Sequence, residues 1–209
     1  MANSKGWFGF APYFSTLALC LSALLIYACG GGSSGGVSTT DSKGVTISGR
    51  AVLNSISNAQ VSTYHIQPKG YRDNLITTSS TNENGEYLLV FAAEFNKPFE
   101  VVVTGGSYVD EATGQPVAIS SIQELRAFVP GGVSDGDAVT VSALTHVATL
   151  QAEVLMGNGN DISSSIRQAN ENIADKFQLG GVDILKTDPA NLTDLKEVDP
   201  IYWTAGRHI

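Results

Sequence analysis

At Ser142 the spacing of apolar residues changes, from every second position before it to every third or fourth after it. Val45–Val52, VTISGRAV, alternates apolar and polar residues, and so does QVSTYHIQ over 60–67 until Pro68 and Gly70 break it. A period of two marks a strand with one buried face. FEVVVT over Phe99–Thr104 is a further strand closed by Gly105-Gly106, while 117–120 and 125–129 are weaker strands and 138–141 a last short one. Over 75–91 two strand-like runs flank Asn82-Glu83-Asn84-Gly85. Asn-Gly tolerates positive φ, so this segment is expected to form a hairpin.

Ser142 can cap a helix by accepting a bond from a first-turn N–H. Leu144, Val147, Ala148, Val154 and Leu155 then fall near one face, and Gly157 stops the run. A second helix follows Asp161, with Ile162, Ile166, Ala169, Ile173 and Phe177 on one face and Gly180-Gly181 at its end. The short loop between the two helices makes them antiparallel neighbours. The expected fold is therefore mainly β with α: a small antiparallel β-sandwich over 45–141, then an α-helical hairpin over 142–181. Residues 182–209 are expected to be irregular, because Asp188-Pro189 and Asp199-Pro200 are breakers and Tyr202-Trp203 has no visible partner. The chain stops at Ile209 without a closing element, as a truncated segment would.

Both cysteines, Cys20 and Cys29, precede the strands, so the folded part has no thiol for a disulfide or zinc cluster and stands on packing alone. Residues 17–26, LALCLSALLI, are long enough for a signal-peptide core and shorter than the about 20 apolar residues of a spanning helix. Ile26-Tyr27-Ala28-Cys29, followed by GGGSSGG, resembles the bacterial lipobox, with an aliphatic residue three before the cut, a small residue just before it and cysteine after it. Tyr27 departs from the usual small or branched residue. The resemblance implies that 1–28 is a lipoprotein signal peptide read through Ile26 and Ala28. It also implies that Cys29 carries lipid (palmitate), with 29–44 a Gly/Ser-rich tether. Gly30 stands where an aspartate would favour inner-membrane retention, so the implied location is the cell envelope, at the outer membrane in a Gram-negative host.

The formal net charge is −8, and removing 1–28 takes away Lys5 and no acid. An acidic surface repels phosphates, which excludes nucleic acid as a partner, and it excludes a polybasic membrane patch. The membrane would be reached through the N-terminal lipid.

Three motifs between Val45 and Thr104 resemble the carboxypeptidase-regulatory-like, transthyretin-like β-sandwich modules: Gly49-Arg50-Ala51-Val52, then Ala59-Gln60-Val61-Ser62-Thr63-Tyr64, then Thr81 through Asn84-Gly85 to Tyr87. Asn82 replaces the usual aspartate of the turn and keeps its chemistry. VTGGSYVDEATG over 103–114 and VSALTH over 141–146 resemble uncharacterised bacterial surface lipoproteins in which such a module precedes a helical segment. In that group more chain follows. These likenesses imply a fold and are nearly silent on function.

No catalytic residue and no cofactor are expected. His65, His146 and His208 are scattered, and there is no H-E-x-x-H, G-x-S-x-G, phosphate-loop or dinucleotide motif. Asp110 and Glu111, with Thr113 and Asp135 or Asp137, are weak calcium candidates, but their spacing fits no EF-hand, and solvating a loop is the better reading, so no metal is assigned. Tyr71 and Tyr108 fall in loops and are the candidate contact residues for a ligand, whereas Tyr64 and Tyr87 hold core positions. The expected function is a non-enzymatic, membrane-anchored surface lipoprotein that binds or presents an envelope protein or polysaccharide through its sandwich loops. The alternative is a structural spacer that holds a further C-terminal domain away from the membrane.

Overall fold

The computed structural model describes residues 44–92 and 95–189. Ile26, Ala28, Cys29, the tether up to residue 43 and the stretch from residue 190 lie outside the described residues. The strands are β1 (Val45–Val52), β2 (Gln60–Ile66), β3 (Arg72–Ser80), β4 (Glu86–Phe91), β5 (Phe99–Thr104), β6 (Ser107–Val109), β7 (Pro116–Ala118), β8 (Glu124–Val129) and β9 (Ala138–Ser142). Two helices follow, α1 (Ala143–Gly157) and α2 (Ile162–Lys176). Mostly β-sheet, then a packed helical hairpin, is the architecture the change of period predicts.

One sheet has the order β4-β1-β9 and the other β3-β2-β5-β8, with a separate β6-β7 ladder. The four-stranded sheet is antiparallel throughout, whereas β9 runs parallel to β1. Alternate residues of both sheets meet in one core, including Ile47, Val61, Leu89, Val101, Val103 and Val141, with Phe91, Phe95 and Phe99 in mutual ring contact. The helices pack on the outer side of the four-stranded sheet around a second core of Phe128, Ala152, Met156, Ile166, Ile173 and Leu179. Strand β5 is therefore covered on both faces, and its first five residues are buried although one of them is Glu100. Among the described residues no helix is long and apolar enough to cross a membrane.

The expected hairpin over 75–91 does not form. Its turn does: the Asn82 side-chain oxygen accepts from the amides of Asn84 and Glu86, both at 2.9 Å, and Gly85 takes φ 76°. But β3 pairs with β2 and β4 with β1, so the turn carries the chain from one sheet to the other. The corner is fixed at buried Thr81, whose amide donates to Ala59 O while its hydroxyl accepts from Ala59 N. A Cβ at Gly85 would lie 2.7 Å from Ala51 O, which holds this position to glycine on space as well as on φ.

Helix α1 is rotated from the expected face. Ser142 caps it in a reciprocal box with Thr145. The buried residues are Thr145, Ala148, Thr149, Ala152 and Met156, while Val147, Leu150 and Val154 are exposed. Polar partners decide the rotation: the Thr149 hydroxyl accepts from Phe128 N on the edge of β8 at 3.1 Å, and the alanines let α1 approach α2 closely. Helix α2 buries Ile166, Ala169 and Ile173 as its pattern predicts. After α2 the described residues up to 189 form no further helix or strand, yet they return to the sandwich: Ile184 and Leu185 are buried, and Thr140 N donates to Leu185 O at 2.7 Å.

Candidate functional site

Among the described residues no helix packs over the outer face of the three-stranded sheet, and Leu88 there is 53% exposed. Arg50 projects from β1 at one end of this face. One guanidinium nitrogen meets Asp188 at 3.2 Å, and the other donates to the Ser55 hydroxyl at 3.3 Å and to Asn84 O at 3.1 Å. Asp188 in turn accepts from the Thr140 hydroxyl at 2.6 Å. The returning segment, β1, β9 and the inter-sheet turn are thus tied together by one guanidinium. Beside it runs an open groove of about 620 Å³, lined by Ser48, Ser79, Ser80, Asn82, Glu86 and Leu88 among others.

Gly49 and Tyr87 make the groove floor. A Cβ at Gly49 would collide with the Tyr87 ring and Val139 O, so the glycine lets the phenol pass beneath β1 and donate to Val139 O at 2.6 Å. Burial, and then the Asp188 carboxylate, pushes the Tyr87 phenol far above its ordinary pKa and keeps it neutral. The glycine of the Gly49-Arg50-Ala51-Val52 motif therefore serves this crossing.

Across the ridge made by Ser55 and the 82–85 turn lies a second hollow of about 360 Å³, lined by Asn54, Ser57, Glu83, Ser107 and Tyr108 among others. Asn54 shapes it at φ 73°, donating to Val109 O at 3.0 Å and accepting from Ser55 N at 2.9 Å.

No family model matches the chain, and no curated protein matches it in sequence. Among solved structures it is similar to a Pseudomonas aeruginosa protein provisionally described as carbohydrate-binding, at 11% identity and a TM-score of 0.32, covering 50% of this chain and 92% of that one. It is also similar to a DUF3823 family protein from Parabacteroides merdae at 9% identity and a TM-score of 0.28, covering 49% of this chain and 46% of that one. A 9R-lipoxygenase from Cyanothece matches at 12% identity and a TM-score of 0.30, covering 66% of this chain and 26% of that one. The likeness is that of a β-sheet domain. It carries no ligand or activity to this chain.

The two tyrosines singled out from the sequence are not brought together. Tyr108 lies in β6, a strand rather than a loop, opposite Val117, where it is half-buried against the sandwich core and lines the second hollow. Tyr71 follows a single 3-10 turn, Pro68–Gly70, that packs on α1; it is 66% exposed and lines neither hollow. Asp110 sits in the β6–β7 turn, its carboxylate accepting from the Thr113 amide at 2.8 Å and hydroxyl at 2.7 Å, contacts that hold it below the usual carboxylate pKa. Glu111 is its exposed neighbour. Asp135 and Asp137 accept from the amides of Thr46 and Ser134. Asp110 and Asp137 close local turns and Asp135 ties its loop to β1, and among the described residues no three His, Cys, Asp or Glu side chains gather as metal ligands.

The two histidines among the described residues do not gather with other ligand side chains either. His65 packs against the Phe95 ring at 5.5 Å, His146 lies on α1, and His208 is outside the described residues. What the sequence reading missed is the charge cluster between β5 and α1. Glu100, fully buried, receives Arg72 at 2.8 and 3.2 Å and also Arg126, which bonds Glu153 of α1 at 2.6 Å. The signal was a lone glutamate inside FEVVVT. This cluster clamps helix to sheet.

Proposed function

We propose that this chain is a lipid-anchored, non-enzymatic module of the bacterial cell envelope that binds a polysaccharide at the Arg50 end of its sandwich. The observation that carries this reading is the groove beside Arg50. It presents serine hydroxyls, an amide and carboxylates around the apolar edge of Leu88, which suits a ligand rich in hydroxyls better than a flat protein surface. Among the described residues no histidine lines either hollow, and the groove carboxylates are engaged, Asp188 by Arg50 and Thr140 and Glu86 by Asn82, which supports a reading of binding rather than turnover. The Ile26-Tyr27-Ala28-Cys29 pattern supports the anchor: lipid on Cys29 would hold the module on the envelope, at the outer membrane in a Gram-negative host, with the glycine-rich tether giving it reach.

Two experiments test this. Expression with labelled palmitate should label the wild type and not Cys29→Ala, and label on both or on neither removes the anchor. Retention of the full chain on insoluble envelope polysaccharide should fall about tenfold or more for Ser80→Trp, which fills the groove from an exposed position. Equal retention of wild type and variant would refute binding in the groove.

A further inference from the structure

We infer that the ligand of this end of the sandwich is an uncharged oligosaccharide long enough to lie across both hollows. The inference rests on the polysaccharide reading above and narrows it.

Charge decides the first part. The Arg50 guanidinium is occupied by Asp188, Ser55 and Asn84, and Glu86 accepts from the Asn82 amide at 2.8 Å. Lys186 is held more loosely, 4.0 Å from Asp137. Together the two hollows set Arg50 and Lys186 against Glu83, Glu86 and Asp188, an excess of one acid, on a chain whose net charge is −8. A uronate or phosphate sugar would enter against those carboxylates, and the Arg50 nitrogen that lacks a partner among the described residues, Nε, is buried out of a ligand's reach; like charges brought together at an interface are repelled.

Hydrogen bonding points the same way. Among the described residues the hydroxyls of Ser79, Ser80 and Tyr108 make no hydrogen bond, so they remain open to a ligand that both donates and accepts. Neutral sugar hydroxyls do both, whereas a carboxylate only accepts. Leu88 in the groove and the Tyr108 ring in the second hollow offer apolar surface to the C–H faces of sugar rings.

Length follows from the ridge. The Arg50 to Ser55 bond at 3.3 Å joins a residue lining the groove to one lining the second hollow, so the two sites adjoin and are held in register by one side chain. A single sugar can contact only one hollow at a time. A chain of several reaches both, and its second contact is made at the high effective concentration of a linked ligand.

The test is calorimetric titration of the full chain in detergent with neutral gluco-, manno- and galacto-oligosaccharides from disaccharide to hexasaccharide, and with oligogalacturonates of the same lengths. At least one neutral series should bind, tightening about tenfold or more from disaccharide to hexasaccharide. Glu83→Trp, which fills the second hollow from an exposed turn position, should remove the gain from length, while Ser80→Trp should weaken every member. Tighter binding of the uronates, or affinity independent of length, overturns the inference and leaves the polysaccharide reading standing. If no saccharide of either charge binds a chain whose circular dichroism is intact, the polysaccharide reading falls with it.

Discussion

Glu100 is a carboxylate with no exposed surface, held between Arg72 and Arg126. Removing one partner of such a group leaves the others charged and out of water, which costs about 3–5 kcal/mol. Glu100→Gln should accordingly lower unfolding stability by about that amount in denaturant titration, with much of the loss recovered if Arg126 is also replaced by methionine. His146 lies next to the same cluster, with a ring nitrogen that is buried and unpartnered among the described residues. Burial first, and then the Arg126 charge, lowers its pKa below the ordinary 6.5, against the opposing pull of Glu153, Glu124 and Glu100. The unfolded chain therefore takes up this proton at higher pH than the folded one. Stability is full above about pH 6.5 and declines as pH falls from there toward the lowered folded value. His146→Gln should flatten that decline below about pH 6.5, and an unchanged slope in urea unfolding would rule out the histidine as its source.

At the scale of elements, α1 shows how a helix is oriented by what it must satisfy rather than by its largest apolar side chains. Thr149 gives the edge of β8 an acceptor for Phe128 N, a buried donor that would otherwise go unpaired. Thr149→Val keeps the shape and removes the acceptor, and should cost about 1–3 kcal/mol. The two faces of α1 should respond in opposite senses. Val154→Lys, at a position 64% exposed, should leave stability within about 0.5 kcal/mol of wild type. Ala152→Leu, which overfills the contact with α2, should cost about 1–3 kcal/mol. Thermal unfolding of the two variants checks the rotation directly, since the apolar face expected from the sequence would make Val154→Lys damaging.

At the scale of the whole molecule, the segment after α2 binds the parts together. Leu185 enters the core between the sheets, Ile184 enters the core beneath the helices, and Asp188 reaches Arg50 at the groove. Asp188→Ala should therefore lower stability and saccharide binding together, whereas Ser80→Trp should lower binding with little change in stability; measuring both quantities on both variants separates the tie from the site. A loss of binding without loss of stability in Asp188→Ala would make that carboxylate a ligand contact in its own right.

What the chain alone determined is what depends on near neighbours: the period of two over Val45–Val52, the short apolar run of Phe99–Thr104, the cap at Ser142, the turn at Asn84-Gly85 and the face of α2. Each follows from residues within a turn or two of one another, so local pattern and hydrogen-bonding chemistry suffice. Which strand lies beside which was decided elsewhere. β4 lies against β1 and not β3 because Thr81 is held by Ala59, 22 residues away in sequence. α1 turned away from its valines because Thr149 found Phe128, 21 residues away. The groove exists because Arg50 found Asp188, 138 residues away. These partners satisfy buried or half-buried polar groups that water no longer reaches, and a polar group's need for a partner does not reveal, in the linear chain, which distant residue will meet it. The elements of this protein are local facts, whereas its sheet order, the exposed face of its first helix and its candidate binding site are consequences of burial.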